Sequence, residues 1–243
     1  MGVSSSKNRS TNANKNNTNG FNLLSKIKSK YILNQIFENT GKKKLLIIKY
    51  NKKLQNRLNI SIKDYIEEYK KIEIEVIPKY NNGIFINFSE LNKSDKSHFH
   101  IYFNEDKKEM KRNYFNYKDK VKKIKIIVDY EIKSFRGLFD ESKCIQKIKF
   151  ICFYRNDITN MCRMFYDCSN LEELDLSNFN TDNVTNMSNM FGWCSSLKIL
   201  RISNFNTDNV IYMDKMFHEC PVELKRELSK NIKMKQLLTN FKV

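Results

Sequence analysis

Glycine and proline are scarce, at six and two in 243 residues. So few glycines leave little material for close backbone approach to a cofactor. No glycine-rich phosphate loop, nucleophile elbow or H-E-x-x-H occurs. Histidine is also rare, with only His98, His100 and His218. His98 and His100 offer a two-ligand pair on one strand face, but no third ligand stands out, and a wet face opposite Phe99 and Ile101 explains them as well. No C-x-x-C spacing marks a structural zinc site. The sequence therefore supports no catalytic residue, no metal site and no cofactor, and we expect a protein that is not an enzyme. No apolar run approaches the roughly 18 residues that span a bilayer. No apolar stretch with a small-residue cleavage site opens the chain. On that basis the six cysteines are expected to be reduced thiols in a cytosolic compartment.

Charge is abundant and lopsided. The net value is +17; residues 1–131 hold 28 Lys/Arg against 14 Asp/Glu, and residues 132–243 hold 16 against 13. A basic half fits nucleic acid, anionic lipid or an acidic protein. Lys, Asn, Ile, Phe and Tyr are also the residues that AT-rich codons encode, so the charge locates a footprint and not a partner.

Residues 1–20 are Ser/Asn/Thr/Lys-rich and too polar to offset the entropy of ordering, which predicts a disordered tail. Residues 21–120 read as an α+β region of unassigned topology. Three- and four-residue apolar spacing predicts helices from Phe21 and from about Lys43 to Leu58, and Ser61 opens a further stretch with a weakened capping box. IEIEVI at 72–77 and His98–Phe103 alternate as half-buried strands do.

The C-terminal half is filled by a repeat. Phe139, Phe165, Phe191 and Phe217 are spaced by 26 residues, as are Met161, Met187 and Met213, and Cys168, Cys194 and Cys220. Such a period implies a stacked solenoid. The register holds from about 121 to 220, with VKKIKIIV at 121–128 as the opening strand. Within one copy, Leu171, Leu174 and Leu176 follow L-x-x-L-x-L. Thr181, Asp182 and Asn183 are turn and cap residues. Met187, Met190 and Phe191 fall at i, i+3 and i+4, the spacing of a short helix. The cysteine column puts neighbours near the ~5 Å strand spacing. That distance permits a disulfide or a soft-metal site, although a ladder of small buried thiols accounts for it more simply. From Pro221, spaced leucines predict a capping helix over 221–243.

LDLSNFNTDNVTNMSNMFGWCSSL at 174–197 and its partner at 200–217 carry a resemblance, while the first copy, from Phe135, is degenerate and reads as the solenoid's edge. The pattern resembles the BspA-like leucine-rich repeat, also known as the mycoplasma lipoprotein repeat. The resemblance implies a protein-binding or adhesive surface, often outside the cell. The expected fold is thus an α+β N-terminal region followed by a short leucine-rich-repeat solenoid of parallel strands and short helices, with a C-terminal capping helix.

Two sets of candidate residues follow. MGVSSS at the start fits M-G-x-x-x-[ST], which makes Gly2 a candidate for N-myristoylation. One acyl chain holds a protein only marginally at a membrane. Lys7, Arg9, Lys15, Lys26, Lys28 and Lys30 are candidates for a second, electrostatic attachment to an anionic membrane surface. On the predicted strands, Lys125, Lys149, Asp175 and Arg201 alternate with core positions and form one outward row; Ile127, Ile151, Ser177 and Ser203 form the next. The mixture of signs argues against a nucleic-acid groove. The reading is a non-enzymatic protein–protein interaction module, in the cytoplasm and tethered peripherally to a membrane's cytoplasmic face, with a protein partner and oligomeric state that the sequence does not name. The alternatives are a basic nucleic-acid-binding protein, an F-box-like adaptor using helices at 21–58, and an extracellular adhesin exported without a classical signal.

Overall fold

The computed structural model describes residues 52–58, 72–89, 91, 93–128, 132–153 and 155–230. Two compact units are distinguished, Met1–Tyr69 and Lys70–Val243. In the first, helix α1 (Lys52–Leu58) is described, with Leu54 fully buried. The predicted tail at 1–20, the helical stretches over 21–51 and 61–71, and the last thirteen residues of the predicted cap lie outside the described residues.

The second unit is built on one seven-stranded sheet in the order β4-β3-β6-β1-β7-β8-β9. Its strands are β1 (Ile72–Pro78), β3 (Phe99–Phe103), β4 (Glu109–Met110), β6 (Ile124–Val128), β7 (Ile145–Phe153), β8 (Glu173–Asp175) and β9 (Ile199–Arg201). A separate pair joins β2 (Gly83–Ile84) to β5 (Tyr114–Phe115). The alternation of IEIEVI does what period-2 patterning requires: Ile72, Ile74 and Val76 are buried while Glu73 and Glu75 face outward. The same alternation buries Phe99, Ile101 and Phe103 on β3, and Ile124, Ile126 and Val128 on β6. These faces share one core with Phe85, Phe115 and the aromatic residues of the repeats.

The expected architecture is overturned here. The unit is mostly sheet, with few helices among its described residues: the four-residue α2 (Lys93–Lys96), a short 3-10 turn (Tyr117–Asp119) and α3 (Val222–Ser229). There is no separate solenoid, and the sheet is mixed and open. Segment 121–128 does not begin the parallel series. It forms β6, which runs antiparallel to β3 and β1, and β1 stands between it and β7. Ile74 lies opposite Ile126 on one side and Phe150 on the other. The 26-residue shift aligns Ile124 with Phe150 in sequence, but the strand between them is recruited from fifty residues earlier. Periodicity reports which side chains share a face, and says nothing of which strand is the neighbour. Only β7, β8 and β9 are parallel, with Ile148, Leu174 and Leu200 in register.

The predicted short helices are also absent from the copies. Each copy instead runs through consecutive four-residue turns. Leu138, Met164, Met190 and Met216 donate their N–H to the carbonyls of Phe135, Met161, Met187 and Met213. A second set in each copy ends on Ser142, Cys168, Cys194 and Cys220, which donate to Phe139, Phe165, Phe191 and Phe217. The third residue of each turn is left-handed: Gly137, Arg163, Asn189 and Lys215 in the first set (φ 55–63°), and Glu141, Asp167, Trp193 and Glu219 in the second (φ 50–61°). A helix cannot pass through such residues. The N–H groups that a helix would send to i−4 go sideways. Met161, Arg163, Phe165 and Asp167 donate to the carbonyls of Asn186, Ser188, Met190 and Gly192 in the next copy, at 2.8–3.0 Å. The junctions on either side repeat this pattern residue for residue.

Side-chain columns follow from that ladder. The rings of Phe139, Phe165, Phe191 and Phe217 stack with centroids 5.4–5.8 Å apart and nearly parallel planes. Cys168, Cys194 and Cys220 each donate a thiol hydrogen bond of 3.0 Å to the carbonyl of Phe139, Phe165 and Phe191. They are free thiols, not disulfides. Burial raises all three above the ordinary thiol value, Cys220 to about 12, and it lifts Cys144 to about 12 as well. The degenerate first copy shows its difference at Arg155, which occupies the place of Thr181. Its buried guanidinium is held by Asp157 (2.7 and 2.8 Å) and the carbonyl of Ile132 (2.6 Å). Gly83 has φ 143°, and a Cβ there would come within 2.4 Å of the Cys144 Cβ.

Because the thiolate is the reactive form, Cys144, Cys168, Cys194 and Cys220 should resist alkylation at pH 8 in the folded protein and react only as fast as it unfolds; peptide mapping after brief iodoacetamide treatment reads this. Phe191→Ala removes a ring stacked on both sides and should lower stability by about 3–5 kcal/mol, seen as a reduced urea midpoint.

Candidate functional site

The outward face of the sheet gathers the charged residues of five strands. Across it, Lys125 lies opposite Glu75, Glu75 opposite Lys149, Lys149 beside Asp175 and Asp175 beside Arg201. The row therefore alternates in sign at every step, at roughly 4.8 Å per strand. Three of the expected residues, Lys149, Asp175 and Arg201, are direct neighbours. Lys125 belongs to the same row only because Glu75 bridges it to Lys149. The second expected row is not continuous: Ile127 faces Glu73, but β8 and β9 end at Asp175 and Arg201, and Ser177 and Ser203 fall in the turns beyond. The Asp175 carboxylate closes its turn by accepting the Ser177 N–H at 2.9 Å.

Most of these charges are paired within the face. Lys125 Nζ is 2.8 Å from Glu73, and Lys123 Nζ is 3.5 Å from Glu75. Glu173 is held between Lys147 at 3.2 Å and Arg201 at 3.0 Å. Lys149 and Asp175 are the members of the row outside any ion pair among the described residues. They border a depression of about 410 Å³ whose wall also includes Glu75, Ile77, Glu173 and Arg201.

The electrostatics keep the carboxylates ionised. Hydrogen bonds from Arg201 and Lys147 hold Glu173 below the usual carboxylate range. Partial burial of Asp175 works against its charge. Its hydrogen bonds to Ser177 and the nearby Arg201 and Lys149 outweigh that, and its pKa is lowered. Carboxylates held ionised in this way are poor general acids at neutral pH. What the face offers is a fixed pattern of signs.

Of the candidate pair, His100 lies on β3 and His98 just before it, both half-buried on either side of buried Phe99. His100 bonds Glu109 through Nδ1 at 2.9 Å, and the His218 ring meets the Trp193 ring edge-on at 5.8 Å. Among the described residues no group of three His, Cys, Asp or Glu side chains could hold a metal ion, and no helix is long and apolar enough to cross a membrane. Gly2, Lys7, Arg9, Lys15, Lys26, Lys28 and Lys30 lie outside the described residues. Sequence reasoning missed Glu73, Glu75 and Glu173 as parts of the face. The alternation at 72–77 already turned Glu73 and Glu75 outward; what it lacked was a neighbour to face.

Residues 133–241 match the family model described as Mycoplasma protein of unknown function, DUF285. The matched stretch holds every junction of the repeat and helix α3, so the repeated part of the chain is similar to a Mycoplasma-type repeat protein. The match leaves out β1 and β6, the strands that complete the charged row. No curated protein matches the chain, and no solved structure does.

A carboxylate with a lowered folded-state pKa contributes stability above its unfolded value, near 4, and that contribution is lost as pH falls through the lowered value. Glu173→Gln with Asp175→Asn should therefore reduce the fall in urea midpoint between pH 5 and pH 3 relative to the parent chain.

Proposed function

We propose that this chain is a non-enzymatic protein–protein interaction module whose contact surface is the outward face of the seven-stranded sheet. The observation that carries it is the row Lys125–Glu75–Lys149–Asp175–Arg201, in which Lys149 and Asp175 lie outside any ion pair among the described residues, beside a shallow depression. A polar rim of fixed sign selects a partner by matching charge more than by supplying affinity. The fitting partner is a protein surface with a carboxylate to meet Lys149 and a cation to meet Asp175. We read the 26-residue unit as a BspA-like leucine-rich repeat, on the strength of LDLSNFNTDNVTNMSNMFGWCSSL at 174–197. A long basic stripe is missing from this face, which favours a protein partner over nucleic acid.

The second half of the proposal concerns location. Gly2 accepts a myristoyl group, and Lys7, Arg9, Lys15, Lys26, Lys28 and Lys30 add attraction to anionic lipid on a membrane's cytoplasmic face. The motif supports this, together with the need for two weak signals in any stable lipid anchor.

The two parts are tested separately. Gly2→Ala should shift the chain from the membrane pellet to the soluble fraction of its native host; an unchanged pellet overturns the tether. Lys149→Asp should weaken capture of a partner at least about 10-fold, and the swapped pair Lys149→Asp with Asp175→Lys should not restore it, since the partner's own signs are then both mismatched. Capture that is indifferent to both changes removes the sheet face as the contact.

A further inference from the structure

We propose that the far end of the repeat, at Met213–Glu219, is a second docking edge that receives a turn segment of the same kind from another protein. The inference rests on the backbone and not on the charged face. At each of the three junctions, four alternate residues of one copy donate N–H groups to four alternate carbonyls of the next. Phe135, Gly137, Phe139 and Glu141 give to Asn160, Cys162, Met164 and Tyr166. Met187, Asn189, Phe191 and Trp193 give to Tyr212, Asp214, Met216 and His218. In this set of four, donation runs one way, from earlier copy to later, whereas Thr159, Thr185 and Ile211 donate backward to Lys133, Thr159 and Thr185. The fourth copy has no successor, so the N–H groups of Met213, Lys215, Phe217 and Glu219 have no acceptor among the described residues. Backbone donors are seldom left in this condition inside a fold, and a row of them is a template for another chain.

Over Tyr212–His218 the edge presents donors only. The carbonyls of Tyr212, Asp214, Met216 and His218 are already taken by the third copy, and those of Met213, Lys215 and Phe217 by the turns. A second copy of this chain therefore cannot pair edge to edge, donor against donor. Head-to-tail addition is blocked as well, because the Leu138 carbonyl at the first copy accepts the Asn87 N–H at 2.9 Å. The occupant must bring carbonyls at alternate residues on the same tightly turned path, which is what an open first copy of this repeat in another protein supplies.

Side chains point the same way. At three places the last copy carries an exposed apolar residue where the copy before it is polar: Ile199 for Glu173, Ile211 for Thr185 and Tyr212 for Asn186. Helix α3 buries Leu224 and Leu228 in the common core and leaves this rim uncovered.

Residue-resolved hydrogen exchange on the full chain tests the proposal, with a synthetic peptide of residues 171–196 as probe. The four amides at 213, 215, 217 and 219 should exchange at least about 100-fold faster than Met187, Asn189, Phe191 and Trp193, and slow at least about 10-fold, saturably, with the peptide. A control peptide with Asn189→Pro and Trp193→Pro, which cannot adopt the left-handed residues, should leave them fast. Two results would overturn it: amides already as protected as the inner copies in the isolated chain, which means its own residues cover the edge, or exchange unchanged by the probe at millimolar concentration.

Discussion

The sideways backbone ladder between successive copies is the constraint on which the C-terminal half depends. Four N–H groups per junction leave their own copy for the next one. This demand removes the helix, because a donor given to a neighbour is not available at i−4. It also requires the chain to turn twice per copy through left-handed residues, most of which are not glycine. Such residues cost about 1 kcal/mol or more each, and the ladder together with the stacked Phe and buried Met columns offsets that. Here the scarcity of glycine is informative: Arg163, Asp167, Asn189 and Trp193 are held left-handed by their neighbours' hydrogen bonds, not by intrinsic freedom.

A second dependence links the two parts of the sheet. Strand β1 pairs with β6 on one side and β7 on the other, so it joins the antiparallel strands to the repeat strands. The same strand supplies Glu73 and Glu75. Without it Lys125 and Lys149 would be like charges on adjacent strands, an arrangement that destabilises a sheet. With it the face becomes a ladder of alternating sign. The proposed contact surface is thus a product of the join, and the match to the Mycoplasma family covers only the repeat side of it.

Much of the candidate site was legible. Alternation alone turned Lys149, Asp175 and Arg201 to one side, and the 26-residue shift put them in line. The same shift was applied once too often, to Lys125, because antiparallel and parallel neighbours leave the same period in a strand of five residues. The helix reading of Met187, Met190 and Phe191 failed for a similar reason. An i, i+3, i+4 spacing is met equally by a pair of overlapping turns that bury the same three side chains.

Residue order alone therefore settled the columns: which Phe falls in line with which, which Cys falls in line with which, and which faces of β1, β3 and β6 are apolar. Those are consequences of period, and period is local. Tertiary structure decided the partners. It placed β1 between two basic strands, sent the N–H groups of each copy forward and not upward, and left four of those in the last copy without acceptors among the described residues. Hydrogen-bond direction and strand order depend on which distant segment arrives alongside, and a repeat carries no record of its neighbour.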